Sequence, residues 1–220
     1  MGGLDVGLRQ VVCRHGRVRA VDGVDLEIAA GERVALTGTN GSGKSTLLRA
    51  VLGLHRHSAG TIRVGGREAG SSAEWAWRRR ACAWIPQKPA TGRFPLLGRE
   101  LLASGGRLGG ADRGAAVREA VEAAGRLGVA EVLDRPLDTL SGGQLQRMYL
   151  ARALGCVAAG AQVLLADEPT AALDFAGQED AARVLAELPV TLLIVTHDRA
   201  LAERCDRVLE MAAGRLREVR

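Results

Sequence analysis

The chain has 220 residues, 47% of them apolar and 25% charged, which is the balance of a folded domain and excludes a disordered polyelectrolyte. Its net charge is +5, but Lys44 and Lys88 are the only lysines among 30 basic residues, so the surplus reads as an arginine-rich solvated surface rather than a nucleic-acid footprint. Aromatic residues at 3% are too few for a single-strand nucleic-acid stacking platform, and no apolar run approaches the roughly 18 residues of a membrane helix, so neither is expected, while contact with an anionic membrane face stays an alternative.

In chain order, Gly23-Val-Asp-Leu-Glu-Ile28 alternates apolar and polar residues, and Gly60-Thr-Ile-Arg-Val64 repeats the pattern. Together they predict an antiparallel flank within the first sixty or so residues. Val34–Thr37, Val163–Asp167 and Thr191–Thr196 are short apolar runs without alternation, the pattern of parallel strands covered by helices on both faces. From about Lys88 to Gly155 strand patterns give way to helical ones broken by glycines. There Val117, Ala120, Val121, Ala124 and Leu127 form one stripe of a helix over 112–127, and a second helix is capped by Ser141 and runs to Leu154. A further helix covers Gln178–Leu188 and is closed by Pro189. Trp75, Trp77 and Trp84, with Arg78, Arg79 and Arg80 between them, form an aromatic-basic cluster read as a core-facing tryptophan pair beside a solvated arginine run. Cys13, Cys82, Cys156 and Cys205 are dispersed and form no CxxC, so four reduced, buried thiols are expected, not disulfides or a zinc site. The N-terminus lacks an apolar signal core, and Met1-Gly2 does not open a myristoylation site, so a soluble cytoplasmic chain is expected.

Three segments carry chemistry. Gly38-Thr39-Asn40-Gly41-Ser42-Gly43-Lys44-Ser45-Thr46 fits G-x-x-x-x-G-K-[ST] between a predicted strand and a helix. Its glycines free backbone N–H groups to wrap phosphate oxygens, Lys44 reaches the outer phosphates, and the Ser45 hydroxyl suits Mg²⁺. The strand Val163–Asp167 ends in two carboxylates: Asp167 suits the surroundings of the metal and Glu168 a base for an attacking water. Leu140-Ser141-Gly142-Gly143-Gln144 is a string too specific to arise readily by chance, with Ser141 as helix cap and two glycines leaving N–H groups bare for a phosphate.

With these segments in this order, the sequence resembles an ATP-binding-cassette (ABC) ATPase subunit along nearly its whole length. Gly38–Thr46 matches the family's Walker A loop, Val163–Glu168 its Walker B strand and Leu140–Gln144 its signature. Gln87 in Trp84-Ile-Pro-Gln87 matches the Q-loop, Ala171-Ala-Leu-Asp174 the D-loop, and His197 the switch histidine. The resemblance implies an α/β, RecA-like P-loop NTPase core with an antiparallel flank, assigned to 1–87 and 156–220, and an inserted helical subdomain at 88–155. It implies ATP and Mg²⁺ as cofactors, with Glu168, His197, Lys44 and Gln87 catalytic and Ser45, Gln87 and Asp167 at the metal. It also implies a head-to-tail dimer, of two copies or with a paralogue, in which each ATP meets Walker A of one domain and Ser141, Gly142, Gly143 and Gln144 of the other, with Asp174 near the joint.

Two positions depart from the family pattern. His15 stands where an aromatic residue stacks on adenine, and it reads equally as a stacking imidazole or a solvated loop residue. Ala171 replaces a serine that often begins the D-loop.

As an ABC subunit the chain is expected to energise an integral membrane permease, at the cytoplasmic face of the membrane, rather than to act on DNA or the ribosome. Phe94-Pro95, close after Gln87, looks like the Phe-Pro segment of importers for zinc, manganese or iron chelates, as does the compact C-terminal end after Asp206–Leu209. Metal import, with a solute-binding protein as a further partner, is therefore the expected use, and drug or lipid export is the alternative.

Overall fold

A computed structural model describes residues 2–87, 96–108 and 113–220, with side chains described throughout these ranges except at 106–108 and 113. The chain opens with a long hairpin, β1 (Val6–His15) and β2 (Val18–Ile28), then β3 (Arg33–Thr37) and α1 (Lys44–Leu52). β4 (His57–Val64), β5 (Arg67–Glu68), α2 (Ser72–Ala81) and β6 (Cys82–Ile85) follow. Three helices come next, α3 (Gly98–Leu108), α4 (Arg113–Arg126) and α5 (Gly142–Ala158). The remainder is β7 (Val163–Asp167), α6 (Phe175–Ala186), β8 (Thr191–Val195), α7 (Arg199–Glu203) and the hairpin β9 (Arg207–Ala212) and β10 (Arg215–Glu218).

The strands form two sheets. One has the order β2-β1-β4-β5 and is antiparallel throughout; the other has the order β10-β9-β3-β8-β7-β6 and is parallel except for the β9–β10 hairpin. The two alternating segments read from the sequence do not pair with each other. Both pair with β1, which lies between them. β1 escapes a periodicity search because its buried residues change parity, from Val6 and Leu8 to Val11 and Cys13. The cause is a bulge at Gln10, whose φ of 49° and register slip insert one residue and invert the alternation. Gly60 on β4 admits the bulge, since a Cβ there would stand 2.3 Å from the Gln10 carbonyl oxygen.

Among the described residues three large apolar clusters hold the layers together, with a small fourth of Ala35, Ala202 and Cys205. One fills the space between the antiparallel sheet, α1 and the near face of the parallel sheet, including Leu8, Leu26, Leu47, Val163 and Leu193. A second lies on the opposite face of the parallel sheet under α5 and α6, through Ile85, Leu150, Leu164, Leu185 and Ile194. β7 and β8 are thus buried on both faces, which explains their unbroken apolar sequence. The third joins α3, α4 and α5 through Leu102, Ala120, Ala124 and Met148. α5 belongs to both the second and the third cluster, with Leu150, Ala153 and Cys156 on the sheet and Leu145, Met148 and Leu154 on the helices. It extends past the expected end at Leu154, and α6 begins at Phe175, three residues before the expected start, because Asp174 caps it through the Gly177 N–H.

The arginine run beside the tryptophans is only partly solvated. Arg79 and Arg80 are exposed, but Arg78 is 1% exposed. Its guanidinium donates to the carbonyls of Ile62 and Arg67 at 2.9 Å each and lies 5.2 Å from the centre of the Trp75 ring, fastening α2 to the antiparallel sheet. Helical periodicity is the reason: Arg78 falls on the inward face of α2, one turn from Trp75. All four cysteines are free and buried, and burial pushes the thiols of Cys13 and Cys205 to about 11 and Cys82 to about 12. Among the described residues no helix is long and apolar enough to cross a membrane.

Candidate active site

β3 runs directly into the glycine loop, and two glycines there are required by backbone crowding. At Gly38 (φ 132°) a Cβ would stand 2.2 Å from the Met211 carbonyl oxygen, and at Gly43 (φ 110°) 2.0 Å from that of Ala20. The loop is therefore wedged between β9 and β2. It delivers α1 with Gly43 as N-cap and no side chain closing the helix end, which leaves its first N–H groups facing outward. Lys44 is buried, and its ammonium donates to the carbonyl oxygens of Gly38 at 2.6 Å and Thr39 at 2.9 Å. Burial lowers its pKa, against the pull of Glu168 and Asp167.

A cavity of about 700 Å³ opens over this loop. Its walls include Asn40 to Thr46, Gln87, Asp167 and Glu168, with His15, Val18 and Arg19 at the flank and the Ala213–Gly214 turn opposite. A second recess of about 490 Å³ shares Asn40, Gln87 and Glu168 with it and adds Thr170, Ala171, His197 and Asp198. Gly38 and Thr39 contribute their carbonyls to Lys44 rather than surface to the cavity.

Asp167 ends β7 fully buried; no hydrogen bond of good geometry reaches its carboxylate oxygens, although the Ser45 hydroxyl, Arg49 and Lys44 lie near enough to favour its charged form. Burial pushes its pKa upward. Glu168 departs from strand geometry altogether: its φ is 52°, a left-handed conformation that costs an ordinary residue roughly 1–2 kcal/mol. That twist is what brings successive residues of one strand to the same cavity. The Glu168 N–H donates to the Val195 carbonyl at 2.9 Å, and its carboxylate accepts from the His197 N–H at 3.3 Å and faces the His197 ring at 3.2 Å. Burial raises the Glu168 pKa, with His197 opposing. Together these place a carboxylate of raised proton affinity, a loop with open backbone N–H groups and an ammonium at one cavity. Oxygen donors from Ser45, Gln87 and Asp167 at the same wall fit a hard divalent cation, which would satisfy the two orphaned oxygens of Asp167 directly or through water.

His15 lines the flank of the cavity. Its Nε2 lies 3.1 Å from the Thr46 hydroxyl, and its ring is 4.6 Å from that of His55, tilted by 49°. Ser141, Gly142, Gly143 and Gln144 are brought to neither recess. They start α5, where the Ser141 hydroxyl accepts from the Gln144 N–H at 3.2 Å and the Gln144 side chain accepts from the Ser141 N–H at 3.0 Å, and Ser141 and Gly142 are exposed. Asp174 caps α6 and also accepts from Arg147 at 3.0 Å, away from both recesses. The Ala213–Gly214 turn was not legible as a site element. Its only sequence signal is a glycine ending Met-Ala-Ala-Gly, yet the Gly214 N–H donates to the Ser42 carbonyl at 3.1 Å and buttresses the loop from the far end of the chain.

Residues 21–171 match a family model described as ABC transporter. Over 96% of the chain, the sequence is 36% identical to the macrolide export ATP-binding/permease protein MacB of Nitrosomonas europaea, and it spans 33% of that protein's length. The structure matches the dimeric structure of MJ0796, a bacterial ABC transporter cassette, with a TM-score of 0.86 and 26% identity, covering 98% of this chain and 99% of that one. A bacterial Atm1-family ABC exporter with ATP bound matches with a TM-score of 0.83 and 27% identity, covering 98% of this chain and 38% of that one. Likeness to metal importers is not supported by these relatives, and neither is a solute-binding partner. The Phe94-Pro95 segment on which the importer expectation rested lies outside the described residues, and a dipeptide that can serve packing alone is too short a signal to specify cargo.

Proposed function

Because the chain belongs to the ABC transporter family, we propose that it is an ATP-binding and ATP-hydrolysing cassette that energises a membrane exporter for drug-like or lipid molecules. The observation that carries the hydrolytic reading is the single cavity lined by the Lys44 loop, Asp167 and Glu168, with His197 against the Glu168 carboxylate. The export reading is supported by a relative named for macrolide export, of which this chain spans 33%, and by the match to an exporter with ATP bound.

Within this reading, the N–H groups of Asn40 to Thr46 and the open end of α1 hold the phosphates in line for attack. Lys44 leaves the Gly38 and Thr39 carbonyls for the outer phosphates. Ser45, Gln87 and Asp167 would hold Mg²⁺, which would supply charge neutralisation at the phosphates. Glu168 accepts the proton of the attacking water, and His197 orients that carboxylate and faces the γ-phosphate. His15 lies against the adenine, in place of a larger aromatic ring. The signature residues Ser141 to Gln144 close the site of a second cassette, a copy or a paralogue, with Asp174 at the joint. The cassette works with an integral membrane permease at the cytoplasmic face.

The test is phosphate release from the purified chain with Mg²⁺ and ATP, for wild type and Glu168→Gln. Wild type turns over, whereas the variant binds ATP with similar affinity and loses turnover by on the order of a hundredfold or more, since an amide cannot take the water's proton. Near wild-type turnover by the variant would remove Glu168 from its role. For export, a strain lacking the gene should become more sensitive to macrolides and be restored by wild type but not by Glu168→Gln.

A further inference from the structure

Gln146 is a buried amide that the hydrolytic chemistry leaves unused. It lies on α5, 2% exposed, two residues past the signature string. Its Nε2 donates to the Pro169 carbonyl at 2.9 Å, across the interior to the residue that follows Glu168. The neighbouring contacts point the same way. Arg147 donates to Asp174 at 3.0 Å, and Gly143 lies so close to the loop after β7 that a Cβ would stand 3.0 Å from the Ala172 carbonyl oxygen. The start of α5 and the segment Glu168–Asp174 are therefore fastened to each other within one chain.

The strain at Glu168 gives this fastening a purpose. Its left-handed conformation is held from one side by the N–H bond to Val195 and the contacts to His197. On the other side Pro169 has no N–H, so its carbonyl is the polar backbone group through which the exit from β7 can be gripped, and Gln146 grips it. We propose that Gln146 is a positioning residue. It transmits the placement of the signature end of α5 to the Glu168 carboxylate of the same chain, so that engagement of one ATP site sets the base of the other. This rests on the reading that the signature of one cassette closes the site of a second.

The test uses the full chain carrying Gln146→Met, which keeps the volume and removes the donor, and measures nucleotide affinity, kcat, KM and the Hill coefficient for ATP. The expected result is unchanged affinity, kcat lowered roughly tenfold, the size that one lost buried hydrogen bond supports, and a Hill coefficient falling toward about 1. Should that variant fail to fold, Arg147→Met at the more exposed fastening is read in the same way, with a smaller loss in the same direction. A folded variant with wild-type kcat and Hill coefficient overturns the proposal, as does a loss confined to KM. Absence of ATP hydrolysis by wild type itself would instead overturn the functional reading beneath it.

Discussion

Glu168 and Asp167 are neighbours in sequence with opposite environments to satisfy. Asp167 continues the strand into the interior, fully buried with only the Ser45 hydroxyl, Arg49 and Lys44 nearby to favour its charge, whereas Glu168 turns out of the strand at φ 52° to face His197. Burial raises the pKa of both. A carboxyl raised on folding contributes stability that is fully present below its unfolded pKa and is lost as pH rises through its raised native value. Toward neutral pH the charged form of these buried carboxylates therefore costs the nucleotide-free chain stability. Asp167→Asn should raise its melting temperature there by a few degrees, and the gain should vanish as pH falls below the ordinary carboxylate range. Thermal unfolding across that range checks this, and an unchanged or lower melting point at neutral pH counts against a net cost of burying this carboxylate. At the flank, His15→Tyr enlarges the ring beside the cavity and should tighten ATP binding several-fold, with His15→Ala weakening it, as read by equilibrium nucleotide titration. Equal affinities for all three would remove His15 from the base site.

Two helices begin with the same device, which separates stability from function at the element scale. Ser71 with Glu74 starts α2, and Ser141 with Gln144 starts α5, each a reciprocal capping box. Loss of either serine hydroxyl should cost about 1 kcal/mol. Ser71→Ala and Ser141→Ala should therefore shift the denaturation midpoint alike, while only Ser141→Ala lowers ATP turnover. Equal turnover in the two variants would make the signature serine a cap and nothing more. Close helix contact gives a second expectation. At Gly155 a Cβ would stand 2.7 Å from the Ala116 carbonyl oxygen and from the Ala120 Cβ. Gly155→Val should separate α4 from α5 and destabilise the helical group by roughly 1–3 kcal/mol, measured by chemical denaturation.

At the scale of the whole molecule, the glycine loop and the signature are complete but apart. The cavity is walled by Asn40 to Thr46, Asp167 and Glu168, and the exposed residues Ser141 and Gly142 reach neither recess. Phe175, 87% exposed at the start of α6, directly follows Asp174, the residue proposed to lie at the joint. If a second cassette closes the site, slow hydrolysis should trap the closed pair. Sedimentation of Glu168→Gln with ATP should show a dimer, and the same protein without nucleotide a monomer. A monomer under both conditions would argue that the signature has another partner.

The motif chemistry was legible because it is local. The strand–loop–helix around Lys44, the carboxylates ending Val163–Asp167 and the cap at Ser141 each depend on a few adjacent residues, and the apolar runs of β3, β7 and β8 announced strands buried on both faces. Local pattern failed where geometry is set from a distance. β1 was hidden by the bulge at Gln10, Arg78 was drawn inside by the carbonyls of Ile62 and Arg67, and the left-handed turn at Glu168 is held by Val195 and His197. By itself the sequence determined an α/β fold with a glycine loop running into Lys44, a strand ending in two carboxylates and a helix capped at Ser141. Only the tertiary structure decided that Glu168 faces His197, that Gly214 buttresses Ser42 and that Gln146 holds Pro169. Those contacts join residues up to 172 positions apart, from Ser42 to Gly214, and their energies depend on burial that no local window contains.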